Sequence, residues 1–293
     1  MKRFVASVAA LFAAFALMTA QSVEEATKVA KQANDALVAN DYTTALPLFQ
    51  QALGIAEACG EKGQQIVDIC KGIIPKTMSA IANQKLLNKD YDGALQQLRE
   101  TLSVAKQYGA DAVKAKVEKL IPQILIAKGS GFLNEKDWDS AAEAYGEALE
   151  ADPANGVAAL RLGQALEGAG KAAEAVEAFK TAADNGQQKN AFALLGRHFM
   201  TLATKAFKEK NYSDALKYAL ESESYVPSAY TKLLAGQASQ LQGKNTEALM
   251  HYLDYLETAP DADNAKEVAY TVAALYQQAG DKAKADEYFA KAK

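Results

Sequence analysis

Seven alanines mark the centre of a pattern that recurs along most of the chain. They are separated by 49, 47, 34, 40, 33 and 37 residues: Ala45, Ala94, Ala141, Ala175, Ala215, Ala248 and Ala285. Twelve residues before each of them stands another small residue: Ala33, Ala82, Gly129, Gly163, Ala203, Gly236 and Ala273. Agreement at all seven positions indicates an internal repeat, which constrains the fold more than any single motif does.

Two further columns of residues give the repeat a physical meaning. Four residues after each alanine the residue is mostly large and apolar: Phe49, Leu98, Tyr145, Phe179, Ala219, Tyr252 and Phe289. Three residues before it, four of the seven are aromatic: Tyr42, Tyr91, Trp138, Ala172, Tyr212, Asn245 and Lys282. Spacings of three and four place residues on one stripe of a helix, so each unit is predicted to be a pair of helices that cross at small residues.

The residue order resembles the tetratricopeptide repeat, a helix-turn-helix unit of about 34 residues. The resemblance covers residues 24–293 and is supported by Pro153, Pro227 and Pro260, which each follow a central alanine by twelve residues and would end the second helix. It implies an all-α fold, a right-handed α-solenoid of about seven helical hairpins. Because one hairpin cannot bury its own apolar stripe, residues 21–293 are expected to stack as a single domain.

Two proline-containing insertions explain the longest spacings. Pro75 and Pro122 each stand nineteen residues before a central alanine, where a first helix would begin, and Pro fits a first helical position. Apolar-periodic segments precede them, at residues 64–74 and 110–121. We interpret these segments as extra turns that lengthen the first helices of repeats two and three. A separate short helix before each proline is the alternative.

The N-terminus is typical of a secretory signal peptide, predicted at residues 1–20. Lys2 and Arg3 precede an apolar run from Phe4 to Met18, which is too short for a comfortable membrane span. Cleavage is expected after Ala20, with Ala14-Phe15-Ala16 as a second site and an uncleaved anchor as the alternative. The mature protein is therefore expected to be exported from a bacterial cytoplasm, periplasmic or secreted, without a membrane span.

Charge and cysteine content limit the function classes. Loss of Lys2 and Arg3 leaves 30 basic against 36 acidic residues, and an acidic protein gains little from contact with phosphate backbones, so nucleic-acid binding is disfavoured. Cys59 and Cys70 are the two cysteines, and an exported chain allows either a disulfide between them or two buried thiols. No cofactor or metal site is expected, because neither His198 nor His251 lies in a recognisable metal-binding or catalytic motif.

In the family that the chain resembles, first helices line a concave face that holds extended peptides. One position after the small residue of each first helix, six of seven residues are uncharged and hydrogen-bonding: Asn34, Asn83, Ser130, Gln164, Thr204 and Gln237. Such side chains can pair with a peptide backbone whatever its sequence, although a solvated polar face is the alternative. Nearby Arg161, Arg197, Tyr230 and Tyr270 could add charged and aromatic contacts.

The sequence therefore predicts a non-enzymatic scaffold that binds a protein or peptide partner. The alternative is a structural subunit of an envelope or surface complex, which would use the ends or the convex side of the solenoid. Tyr288 and Phe289 belong to the last predicted helix and could mediate homo-oligomerisation there. An enzyme or carbohydrate-binding protein is the third and least favoured class, because no catalytic constellation is present.

Overall fold

The structure is a computed structural model that describes residues 22–293, and throughout this range the chain is helical apart from turns. The predicted signal peptide and its cleavage sites lie outside the described residues. The first described helix, α1, covers residues 22–38. It is followed by α2 (Tyr42–Ala58), α3 (Gln64–Leu87), α4 (Tyr91–Tyr108), α5 (Asp111–Glu135), α6 (Trp138–Ala151), α7 (Gly156–Gly168), α8 (Ala172–Ala182), α9 (Gln188–Lys208), α10 (Tyr212–Tyr225), α11 (Ala229–Leu241), α12 (Asn245–Thr258), α13 (Ala265–Gln278) and α14 (Lys282–Lys291).

The helices form seven consecutive hairpins, each with an odd-numbered first helix and an even-numbered second helix. The all-α fold of stacked hairpins is confirmed. The chain divides into two compact units, with α1 to α6 in a unit that ends at Pro153 and α7 to α14 in the unit Ala154–Lys293. That residues 21–293 form one domain stays a prediction.

Each hairpin turn carries one residue in the left-handed backbone region, followed by the start of the second helix. These residues are Asn40, Lys89, Lys136, Gly170, Lys210, Gly243 and Gly280. In five hairpins an Asp or Asn then caps the second helix by accepting a hydrogen bond from a backbone amide three residues on: Asp41, Asp90, Asp137, Asn211 and Asp281. The short polar pieces of the sequence are thus capped turns, as the pattern predicts.

The small residues lie where the helices of a hairpin meet, as predicted. All seven central alanines are at most 2% exposed, and the seven small residues of the first helices are buried as well. In unit 2 the ring of Phe179 on α8 lies directly against Gly163 on α7, and the ring of Tyr252 on α12 lies against Gly236 on α11. Small residues therefore allow the two helices to approach closely while a bulky side chain fills the space beside them.

The first helices of repeats two and three are long and continuous, with 24 residues in α3 and 25 in α5. The predicted extra turns are confirmed, and the alternative of separate short helices is wrong. Pro75 and Pro122 lie inside these lengthened helices and are buried, as the extra turns before each proline require. Packing of the lengthened helices in unit 1 compensates for the hydrogen bond that each proline cannot donate.

Helices in the second half of the chain end where the sequence predicts. The second helices α6, α10 and α12 each end two residues before a proline, Pro153, Pro227 and Pro260. The spacing of 40 residues before Ala215 is explained by a π-helical turn, Ala183–Gln187, and by the 21-residue length of α9. This long α9 carries much of the candidate site described below.

Both cysteines lie in unit 1 as buried free thiols. The Cys59 thiol donates a hydrogen bond to the carbonyl oxygen of Ile55, 3.2 Å away, at the end of α2. Burial raises the pKa of the Cys70 thiol within α3. Of the two alternatives left open by the sequence, the structure contains the pair of buried thiols.

Candidate functional site

The predicted groove residues divide between the two units. Asn34, Asn83 and Ser130 lie on α1, α3 and α5 of unit 1, and Gln164, Thr204 and Gln237 lie on α7, α9 and α11 of unit 2. Each directly follows the buried small residue of its helix, so the hairpin packing fixes its direction. Asn34 and Asn83 are exposed, whereas the other four are half-buried.

The hydroxyl groups in this column are already engaged inside the protein. Ser130 donates to the carbonyl oxygen of Ile126 at 2.8 Å, and its Oγ lies 3.1 Å from the hydroxyl of Tyr145. The Thr204 hydroxyl lies 3.8 Å from the Met200 sulfur. The six side chains are therefore not equivalent, because the hydroxyls of Ser130 and Thr204 already make local contacts within the protein.

In unit 2 the structure brings predicted site residues together. The Arg161 guanidinium donates from Nη1 to Oε1 of Gln164 at 2.9 Å, within α7. Arg197 on α9 donates from Nη2 to Oε2 of Glu167 on α7 at 3.1 Å, and Nδ1 of His198 lies 3.6 Å from the other carboxylate oxygen. Arg197 thus bridges two neighbouring first helices while its side chain stays 63% exposed.

Two exposed aromatic rings lie on the following first helices. Tyr230 on α11 is 53% exposed, and Tyr270 on α13 is 60% exposed. The ring of Tyr270 makes an edge-to-face contact with Phe289 of α14, with ring centroids 5.4 Å apart. Large aromatic rings held at a surface bind partners at a low entropic cost, since their side chains have few rotatable bonds.

A surface depression of about 530 Å³ lies along α9, the first helix that precedes the two tyrosine-bearing first helices in the chain. Its lining includes Arg197, Met200, Thr201, Thr204, Lys205 and Lys208, and Glu209 borders it at the end of the helix. The spacing of 197, 201, 204 and 208 places these residues on one stripe. We call the surface formed by this depression with Arg161, Gln164, Tyr230, Gln237 and Tyr270 the first-helix face of unit 2.

Sequence reasoning identified Arg197 and Thr204 but missed Met200, Thr201, Lys205 and Lys208. Comparison of the repeats identifies one equivalent position in each first helix, whereas the residues that line the depression extend over three turns of the single helix α9. A signal was present, because residues 188–208 contain four Lys or Arg and no Asp or Glu.

The two histidines lie in separate surroundings. His198 lies beside Glu167 and makes an edge-to-face contact with Phe199, with centroids 5.4 Å apart. His251 lies on α12, where burial lowers its pKa against the opposing effect of Asp254, Glu247 and Glu223. Within residues 22–293, no three His, Cys, Asp or Glu side chains are grouped so that they could hold a metal ion.

The C-terminal hairpin offers a second surface. A cavity of about 580 Å³ lies between α12, α13 and α14, and its apolar lining includes Leu253, Leu256, Pro260 and Tyr288. Tyr288 and Phe289 are half-buried, since they pack on the apolar cluster of this hairpin.

Among the described helices, none combines the length and apolar character that a membrane crossing needs.

The comparison that identifies the repeat covers the middle of the chain. Residues 126–190 match the family model described as tetratricopeptide repeat, from the later part of α5 to the first residues of α9. This segment carries tetratricopeptide repeats. The matched segment includes the crossings of Gly129 with Tyr145 and of Gly163 with Phe179. The tetratricopeptide family supports a protein-interaction scaffold as the general role of the chain.

Solved structures offer further similarities, all at low identity and low TM-score. A crystal structure of MamA protein shares 21% identity over 59% of this chain and 90% of its own, with a TM-score of 0.35. YrrB, titled a TPR protein with an unusual peptide-binding site, shares 21% identity over 62% of this chain and 89% of its own, with a TM-score of 0.33. PilF of Pseudomonas aeruginosa shares 19% identity over 59% of this chain and 76% of its own, with a TM-score of 0.30. No curated protein sequence matches the chain. At TM-scores of 0.30 to 0.35 these likenesses carry no argument about the fold or the function of this chain.

Proposed function

We propose that the protein is a non-enzymatic scaffold that binds an extended segment of a partner protein on the first-helix face of unit 2. The observation that carries the proposal is the combination, on successive first helices, of the exposed rings of Tyr230 and Tyr270 with the depression along α9. Tyrosine is enriched among the residues that contribute most to the binding energy of protein interfaces.

The polar residues of this face fit the same role. Gln164 and Gln237 are half-buried and so have limited freedom to lose on binding. Gln237 forms no side-chain hydrogen bond among the described residues, so its amide can both donate to and accept from a peptide backbone. The aromatic rings would supply the affinity, and the amides would fix the direction of the bound segment.

Site-specific photo-crosslinking tests this function. A photoreactive phenylalanine analogue at Tyr230 or Tyr270 should crosslink one discrete partner in cells that produce the protein. The matched controls are the same analogue at Leu220 and at Met250, which are 45% and 56% exposed on the second helices α10 and α12. Equal crosslinking from all four positions would contradict the proposal, since binding would then not be specific to the first-helix face.

We further propose that the scaffold acts in the cell envelope of a bacterium after export. The support is the sequence of residues 1–20, with Lys2 and Arg3 before an apolar run and Ala20 at its end. Cell fractionation and sequencing of the mature N-terminus test this proposal. A chain recovered from the cytoplasm with Lys2 and Arg3 intact would overturn it.

The second candidate function is assembly through the C-terminal hairpin. It is favoured by the cavity between α12, α13 and α14 and by the half-buried rings of Tyr288 and Phe289. A stable dimer of the mature protein in light scattering, lost on Tyr288→Ser together with Leu256→Ser, would support this role. A monomer at all concentrations would remove it without affecting the first-helix face.

A further inference from the structure

Charge is distributed unequally between the two kinds of helix in unit 2. Its four first helices carry seven Lys or Arg and two Asp or Glu, a net charge of +5. Its four second helices carry a net charge of −5. The protein as a whole is acidic, with a net charge of −4, so the basic first helices depart from the character of the chain. Such separation gives the two sides of the hairpins opposite preferences for charged partners.

Most of this positive charge belongs to α9. The helix contains Lys189, Arg197, Lys205 and Lys208 and no Asp or Glu, and the last three of these residues line the depression. Glu209, at its end, is the one acidic residue in that lining. A depression with three basic side chains and one acidic side chain keeps a positive surface potential.

The lysines of the depression lack internal partners. Arg197 pairs with Glu167, but neither Lys205 nor Lys208 forms an ion pair with another residue in the part of the chain that the structure describes. Lys205 and Lys208 are exposed, as are Lys180 and Lys291, but the ammonium groups of Lys180 and Lys291 pair with Glu177 and Glu287 on their own helices. The charges of Lys205 and Lys208 are therefore available to a ligand.

Between the basic residues, the depression is lined by Met200, Thr201 and Thr204. Half-buried Met200 lies within the stripe, and its flexible thioether can pack against side chains of different shapes. The hydroxyls of Thr201 and Thr204 turn back to α9, to the Arg197 carbonyl at 3.0 Å and to the Met200 sulfur. Basic residues alone must therefore provide the strong polar contacts of the depression.

We infer that the depression along α9 binds an acidic segment of the partner, with carboxylates on Lys205, Lys208 and the free edge of Arg197 and an apolar side chain on Met200. This inference rests on the proposed function and adds the chemistry of the partner to it. Carboxylates fit because they are strong acceptors for ammonium and guanidinium groups, and Lys205 and Lys208 have no carboxylate partner among the described residues. A segment of alternating acidic and small residues would place its carboxylates along the stripe.

The test measures peptide binding by fluorescence anisotropy with the full mature chain. The probes are a labelled peptide of alternating Glu and Ala and the same peptide with every Glu replaced by Gln. We expect the Glu peptide to bind at least about tenfold more tightly and to weaken as salt is raised. The double variant Lys205→Glu with Lys208→Glu should abolish that preference.

The matched control reverses two lysines of the second helices, Lys217→Glu with Lys282→Glu, which changes the net charge by the same amount. Circular dichroism confirms that both double variants are folded. Equal loss in the two variants would overturn the inference, because binding would then follow net charge alone. So would equal affinity for the Glu and Gln peptides, or no binding of either.

Competition separates an acidic peptide from other anions. Tighter binding of single-stranded DNA or of vesicles containing phosphatidylglycerol than of the Glu peptide would overturn the peptide assignment. Crosslinking from Tyr230 does not depend on the charges of α9, so a failed peptide test with successful crosslinking would refute the acidic segment and leave the scaffold proposal intact.

Discussion

The ring of Tyr145 lies against the backbone of Gly129, so closely that a Cβ on Gly129 would come 2.9 Å from the Cε1 atom of the ring. Two residues later on the same helix, a Cβ on Gly131 would meet no atom within 4 Å. One helix thus contains a glycine that the packing requires and a glycine that it does not.

Substitution of Gly129 and of Gly131 by alanine should have opposite effects on stability. Gly129→Ala should lower the free energy of unfolding by about 1–3 kcal/mol, because the added methyl group must displace a fully buried ring. Gly131→Ala should raise it by up to about 1 kcal/mol, because alanine loses less backbone entropy in a helix. Urea denaturation of the two variants measures both effects. A stabilised Gly129→Ala protein would contradict the close crossing of α5 and α6.

The Gly163–Phe179 crossing is tighter and permits a double-mutant cycle. A Cβ on Gly163 would lie 2.4 Å from the ring of Phe179, whereas repeat two carries Ala82 and Leu98 at the same positions. We expect Gly163→Ala to be less destabilising when combined with Phe179→Leu, by about 1 kcal/mol or more. Repeat one combines Ala33 with Phe49, so an aromatic ring does not by itself demand glycine. Additive effects in the cycle would show that the clash is relieved elsewhere.

The hairpin turns predict a stabilising substitution. Lys210 has φ of 62°, and Gly243 has φ of 76° at the same turn position one repeat later. A left-handed conformation costs a residue with a Cβ about 1–2 kcal/mol, partly offset by the entropy that glycine loses on folding. Lys210→Gly should therefore raise the free energy of unfolding by up to about 1 kcal/mol, as measured by urea denaturation. The reverse exchange, Gly243→Lys, should lower it, and equal stabilities would contradict the backbone assignment.

The sequence predicted the hairpins because small and aromatic side chains fill the crossings between helices in fixed positions. Ala45, Gly129 and Gly163 are buried for this reason, and the column could be found without coordinates. The extra turns predicted before Pro75 place this proline inside α3, but the sequence did not predict that its side chain would be buried there.

The residues of the candidate site were harder to predict from the sequence than the helical hairpins were. Ser130 belongs to the polar column, yet its hydroxyl lies against Tyr145, and that contact depends on how far the ring reaches across the crossing. Lys205 and Lys208 lie outside the column, and only the helical geometry of α9 places them beside Arg197 and Thr204. A repeat pattern identifies the packing face of a helix well because burial constrains it, whereas the ligand-binding face is set by side chains that vary from repeat to repeat.

His251 predicts a pH dependence of stability in unit 2. Burial lowers its pKa in the folded protein below the ordinary value of 6.5, although Asp254, Glu247 and Glu223 act in the opposite direction. The unfolded chain therefore binds a proton at a higher pH than the folded chain does. Stability is complete above about pH 6.5 and falls as the pH is lowered through the interval between the two pKa values.

The comparison of wild type with His251→Gln isolates this effect from other titrating groups. The urea midpoint of the variant relative to wild type should rise when the pH is lowered from about 8 to about 5, because the variant cannot take up the proton that favours the unfolded wild-type chain. A difference in midpoint that stays constant over this range would show that His251 titrates alike in both states, and a falling difference would mean that the carboxylates around α12 outweigh burial.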